Sequence, residues 1–199
     1  MTTNTLLIAT RNKNKLHEVR NALKDLPVRI IDLIAFDNDY TVEETGETYS
    51  ENAIKKAREY GKISKIPTIA DDSGLEVNAL GGKPGIKSTR FVNGTDEDRN
   101  KEILKLMRNV PSGKRTAKYK CIIAFFDPGI NQTCVFSGCC NGEITMRSRG
   151  KHGFGYDPVF YYPKKKKTFA QMTIGEKEKV SHRGIALRKV AKFLRGGIV

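Results

Sequence analysis

The stretch "KYKCIIAFFDPGINQTCVFSGCC", Lys118–Cys140, decides the fold. Two β-rich apolar runs flank "DPGINQ", and a Pro-Gly turn between such runs reads as an antiparallel hairpin. Upstream the pattern changes. "LLIA" at 6–9 is a short continuous apolar run, read as a buried strand. It leads through the polar "TRNKNK" into a helix with Leu16, Val19, Leu23 and Leu26 at helical spacing. Pro27 is expected to end that helix, and "VRIIDL" to begin a second strand. In "EETGETYSENAIKKAREYG" (43–61), Thr48 followed by Glu51 makes a capping box for a second helix, with Gly61 as its stop. "PTIA" (67–70) reads as a strand that ends at Asp71 and Asp72, where Ser-Gly turns the chain. Helices are expected around Asp96–Met107 and after Ser181, an N-cap that precedes the stripe Leu187, Val190, Phe193 and Leu194. Alternating strands and helices at both ends, with a hairpin between, give an α/β protein with a mixed sheet.

The 199 residues include 36 Lys+Arg and 22 Asp+Glu, a formal net charge of +14. Neither a repeat nor a low-complexity linker divides them, so one domain over 1–199 is expected. The longest apolar run, Cys121–Phe126, is too short to cross a bilayer. "MTTNTLLIATRNK" lacks the basic start and long apolar core of a secretory leader. A cytoplasmic protein with no membrane partner is therefore expected. Cysteines 121, 134, 139 and 140 show neither CxxC nor His at ligand spacing, and read as reduced thiols rather than a zinc site. The charge implies an anionic partner, which a nucleic acid, a membrane surface or a small phosphate compound would satisfy. The run Lys164–Lys167 reads as a solvated loop, and specific nucleic-acid contact is not expected there.

Four stretches carry candidate chemistry. "TRNKNK" (Thr10, Arg11, Asn12, Lys13, Asn14, Lys15) joins a strand to a helix, where free N–H groups and the helix dipole favour an anion. The loop lacks Walker glycines, and a polar cap for the helix is the other reading. Asp71 and Asp72 repel each other unless a cation compensates. With Glu43, Glu44 and Glu47 in another loop, they suit magnesium completed by substrate phosphates, or else form a solvated turn. In "GFGYDPVF" (153–160), glycines beside Phe154 and Tyr156 permit a flat ligand to approach, and Asp157 is a candidate acceptor for a ring N–H. Aromatic core is the alternative. "SHRG" (181–184) places His182 and Arg183 in a helix's first turn, where the dipole disfavours cations unless they face a ligand.

Five pieces, "IATRNKNKLHEV", "VEETGETYSENAIKKA", "IADDSGLEVNALGGKPGIKSTRF", "GFGYDPVF" and "MTIGEKEKVSHRGIAL", together resemble the inosine/xanthosine triphosphate pyrophosphatase family and span almost the whole chain. The resemblance implies an elongated α/β fold of two lobes with the active site in the cleft between them, a homodimer and a magnesium requirement. It implies hydrolysis of ITP, dITP or XTP to the monophosphate and pyrophosphate. Carried over, Asp72 would be the general base and lie by the metal, with Glu44 as a metal ligand. Thr10, Asn12, Lys15, Lys56 and Ser73 would surround the triphosphate. Phe154, Gly155, Tyr156 and Asp157 would enclose the base, with Lys177, His182 and Arg183 contacting base and phosphates. Two departures stand out: four lysines in "PKKKKTFAQM" with Gln171 where an acid is common, and Arg11 where a small residue is frequent. A protein that binds nucleic acid, or a related pyrophosphatase acting on pyrimidine or standard nucleotides, are the competing readings.

Overall fold

Side chains of β1 (Thr5–Ile8) alternate between two cores, and that alternation explains its unbroken apolar run. The computed structural model describes residues 5–36 and 40–196; the first four residues of the stretch read against a leader lie outside them. Leu6 and Ile8 pack with Val19 and Leu23 of α1 (Lys13–Leu23) and with Leu187, Val190 and Leu194 of α5 (His182–Arg195). Leu7 packs on the other side with Ala53, Ala57 and Tyr60 of α2 (Tyr49–Ser64). A strand covered on both faces has no solvent side on which to place polar residues.

β1 pairs in parallel with β2 (Arg29–Asp32) and with β3 (Thr68–Val77). The hairpin strands are β4 (Thr116–Asp127) and β5 (Gln132–Ile144), followed by β6 (Phe160–Tyr162) and β7 (Lys167–Thr168). All seven form one sheet in the order β2-β1-β3-β4-β5-β6-β7, with β6 antiparallel to both β5 and β7. The expected mixed α/β sheet is therefore found.

By its internal contacts the chain divides into two compact units. One comprises residues up to Asp72, Cys121–Gly138 and Arg183 onward; the other comprises Ser73–Lys120 and Cys139–His182. The second unit has its own core, with Leu75 and Val77 of β3, Ile103 of α3 (Asp96–Leu106), Tyr119, Phe160 and Phe169. The four cysteines are free thiols. Among the described residues no helix is long and apolar enough to cross a membrane.

Three local expectations need correction. β3 does not end at Asp71 and Asp72 but runs on through Ser73 and Gly74 to Val77, so the pair sits mid-strand and no Ser-Gly turn forms. Burial of Leu75 and Val77 in the second core outweighs the weak strand preference of Ser-Gly. Gly61 does not stop α2. The helix continues to Ser64 and is capped by Lys65 in a left-handed conformation (φ 58°), whose N–H donates to the Gly61 carbonyl. Gly61 is instead a close-packing position, where a Cβ would lie 2.6 Å from the Phe126 ring. The first helix ends at Leu23, before Pro27, and Leu26 reaches the core from the following turn. A short α4 (Ile174–Val180), with its own Thr173–Glu176 capping box, precedes Ser181. Gln171 completes a similar box with Thr168, so an amide in place of the usual acid is accommodated.

Candidate active site

In the first unit, the centre of β3 gathers cations from three helices. Asn12 caps α1 by accepting from the N–H groups of Asn14 and Lys15, and its own N–H donates to Thr10 Oγ1. Those three N–H groups are therefore spent inside the loop, against the expectation of free donors. What the loop sends inward is Lys15, whose Nζ lies 3.1 Å from Asp71 Oδ2; Arg11 and Lys13 are exposed. Arg183, at the start of α5, is 2 % exposed and donates to Asp71 Oδ2 from Nε (3.2 Å) and Nη2 (3.0 Å), and to Glu18 Oε2 from Nη1 (2.7 Å). Its place in a first helical turn thus answers to two carboxylates of the chain itself. On α2, Lys56 donates to the Asp71 carbonyl (2.7 Å) and to Glu44 Oε1 (2.5 Å).

Asp71 and Asp72 are neighbours with opposite electrostatics. Burial alone would push Asp71 up, but Lys15, Arg183 and Lys56 outweigh it and hold the carboxyl well below the usual carboxylate range. Asp72 is pushed up, chiefly by burial, with Glu44 adding to the shift and Lys56, Asn52 and Lys15 opposing it. Desolvation works against the charge of Lys56, yet Asp71, Glu44 and Asp72 raise its affinity for its proton. Arg183 is likewise desolvated and likewise held charged, by Asp71 and Glu18. So Asp71 is a fixed anion that organises three cations, while Asp72 is the member short of positive charge.

Asn52, buried on α2, ties the two acidic segments together. Its Nδ2 donates to Asp72 Oδ2 (3.0 Å), and its Oδ1 accepts from the Gly46 N–H (2.8 Å) in the loop that carries Glu44. Among the described residues no three His, Cys, Asp or Glu side chains form a metal site of their own. Glu44 and Asp72, coupled through Lys56 and Asn52, instead fit a hard divalent cation that takes its remaining oxygens from phosphates and water.

In the second unit, the loop 153–157 folds on itself. Gly153 (φ 76°) and Gly155 (φ 62°) hold left-handed conformations, and a Cβ on Gly153 would collide with Asp157 Oδ2. Asp157 accepts from the Phe154 N–H (2.9 Å) and from Lys177 Nζ (2.6 Å), so it staples the loop. Tyr156 is core: its ring is buried and its hydroxyl donates to the Ser88 carbonyl. Phe154 is half-buried, with Lys177 Nζ 4.5 Å from its ring centroid, a cation–π distance. His182 stacks on Tyr119 at 4.3 Å with rings nearly parallel. Ser73, half-buried, lies on β3.

The geometry therefore brings together Lys15, Lys56, Asp71, Asp72, Glu44 and Arg183 in the first unit, and Phe154, Gly155, Asp157 and Lys177 in the second. It adds Glu18, Asn52 and Tyr119, none of which the sequence reading singled out. Asn52 and Lys56 had a signal: two polar residues four apart beside the buried stripe Ala53, Ala57 and Tyr60.

Comparison with known proteins identifies the family. The model of the Ham1 family matches residues 6–193. The dITP/XTP pyrophosphatase of Lactobacillus acidophilus is 45% identical over 194 residues, 95% of this chain and 96% of that protein. The dITP/XTP pyrophosphatase of Geobacter sulfurreducens is 45% identical over 184 residues, 92% of each. The solved structure of a HAM1 protein from Coxiella burnetii superposes with a TM-score of 0.88 at 37% identity, covering 97% of this chain and 99% of that one. The Staphylococcus aureus Ham1 protein gives 0.86 at 39% identity, covering 96% and 98%. With the family model spanning nearly its full length, this chain belongs to the Ham1 family.

Proposed function

We propose that this protein hydrolyses the non-standard purine nucleoside triphosphates dITP, ITP and XTP to the monophosphate and pyrophosphate, removing them from the cytoplasmic nucleotide pool. The observation that carries the reading is Asp72: a buried carboxylate oriented by Asn52 and set within reach of the charges of Lys56, Lys15 and Glu44. Its fixed neighbour Asp71 keeps Lys15 in place. The names of the relatives support the substrate class.

In this mechanism Asp72, ionised and oriented by the Asn52 amide, accepts the proton of the attacking water. Lys15 and Lys56, with Thr10, Asn12 and Ser73 beside the phosphates, neutralise charge that develops on the leaving pyrophosphate. Arg11, Lys13 and Asn14 complete the polar loop. Arg183 acts through Asp71, which it holds in place for Lys15. Glu44 and Asp72 would hold Mg2+, which when bound clamps the phosphate oxygens and lowers the cost of their charge. The second unit would recognise the base, with Phe154 as its stacking face and Lys177, Asp157, Gly155, Tyr156 and His182 around it. The family resemblance supports a homodimer.

A panel of ITP, XTP, dITP, dUTP, dTTP and GTP, each with and without magnesium, tests the reading. Magnesium-dependent turnover led by ITP, XTP and dITP, whose bases lack the 2-amino group of guanine, over GTP is expected. Preference for a pyrimidine or for GTP would overturn the substrate class.

A further inference from the structure

Gly155 is the point at which α3 holds the 153–157 loop. Its N–H donates to Asp96 Oδ2 at 2.6 Å, and its carbonyl accepts from Asn100 Nδ2 at 2.9 Å, across 59 and 55 residues of sequence. Asp96 and Asn100 are four residues apart on α3 and therefore leave one face of that helix. The helix is itself anchored, by a Thr95–Asp98 capping box and by Ile103 in the core, and Arg99 pairs with the other oxygen of Asp96.

Asn100 is 4 % exposed, and its Oδ1 is buried without a hydrogen-bond partner. An apolar side chain of similar size would avoid that unsatisfied acceptor, so the amide has a use that offsets it. Among the described residues, the hydrogen bond its side chain makes is the one it donates to the Gly155 carbonyl. The neighbouring N–H groups are already spent: Phe154 on Asp157, and Tyr156 on the Tyr119 hydroxyl. The Gly155 peptide, held by α3, thus fixes one side of the Phe154 backbone, whose own N–H and carbonyl are held by Asp157.

We propose that Asp96 and Asn100 are positioning residues for base selection, fixing Gly155 and through it the face that Phe154 presents to a 6-oxopurine. The proposal rests on the assignment of this loop to base recognition made above. Neither side chain is assigned contact with the nucleotide. Loosening the loop weakens binding in ground state and transition state alike, which raises KM and leaves kcat in place.

Steady-state kinetics with ITP and GTP on the unaltered protein, Asp96→Ala, Asp96→Asn and Asn100→Ala test this. Both alanine variants are expected to raise KM for ITP about tenfold with kcat held within about twofold, and to raise the GTP-to-ITP ratio of kcat/KM. Asp96→Asn, whose amide oxygen still accepts from the Gly155 N–H, is expected to restore KM. Asp96 lies at an exposed helix start, so its variants keep the test intact if Asn100→Ala folds poorly. An unchanged KM in Asp96→Ala, whatever happens to kcat or melting temperature, overturns the proposal, as does Asp96→Asn being as impaired as Asp96→Ala. If the unaltered protein fails to hydrolyse ITP, the functional reading falls and this proposal with it; if it succeeds, only the proposal is at stake.

Discussion

Asp71 and Asp72 differ by one position and by their whole electrostatic surroundings. Three cations hold Asp71 ionised, and removing its charge takes one buried carboxylate from both Lys15 and Arg183. Asp71→Asn is expected to destabilise the fold by about 3–5 kcal/mol, the usual cost of breaking a buried ion pair from one side. A depressed carboxyl stabilises above its unfolded value and loses that contribution as pH falls through the folded one. Urea unfolding from pH 7 downward should therefore show the gap between the two proteins constant until about pH 3.9 and narrowing below it. Asp72, pushed up mainly by burial, has the opposite sign: its contribution to stability is present at low pH and lost as pH rises through its folded value. As a base it must be ionised, so kcat/KM should fall as pH is lowered, and activity undiminished at acid pH would remove Asp72 from the role. The adjacency of two acids was legible in the sequence. Their division of labour was not, because Lys15, Lys56 and Arg183 come from three separate helices.

Elements were legible where periodicity is strong and local. The hairpin of β4 and β5 and the stripe on α5 stand where the sequence places them, and Thr48 caps α2, although Glu51 accepts from the Glu47 N–H rather than closing the expected box. Two glycine signals misled for a common reason: contacts distant in sequence overrode a local preference. Ser73-Gly74 stays extended because the residues after it enter a core, and Gly61 stays helical because Phe126 leans on it. Ala at an exposed helix interior would gain up to about 1 kcal/mol over Gly. Here the Cβ meets a buried ring at 2.6 Å, so Gly61→Ala should instead lower stability by about 1–3 kcal/mol, read as a drop in the urea midpoint with unchanged slope. A rise in the midpoint would contradict the packing account. The glycines of the 153–157 loop were read as room for a flat ligand; their left-handed backbone was not legible, nor were the anchors of Gly155, which lie more than fifty residues upstream on α3.

At the scale of the molecule, each compact unit is assembled from separate chain segments, and β3 contributes residues to both. We propose that the chain unfolds as one domain: circular dichroism and intrinsic tyrosine fluorescence should report a single coincident transition, and two resolved transitions would refute it. The surplus of positive charge, +14 overall, fits an anionic substrate without naming one. What narrows it is the pairing of a fixed anion with an under-neutralised one on the same strand. The most direct measurement is phosphorus NMR of the first products formed from ITP and magnesium by the protein and by Asp72→Asn. Inosine monophosphate and pyrophosphate from the former, with turnover abolished in a normally folded variant, is the predicted result. Orthophosphate as the first product, or near-normal turnover after Asp72→Asn, would contradict it.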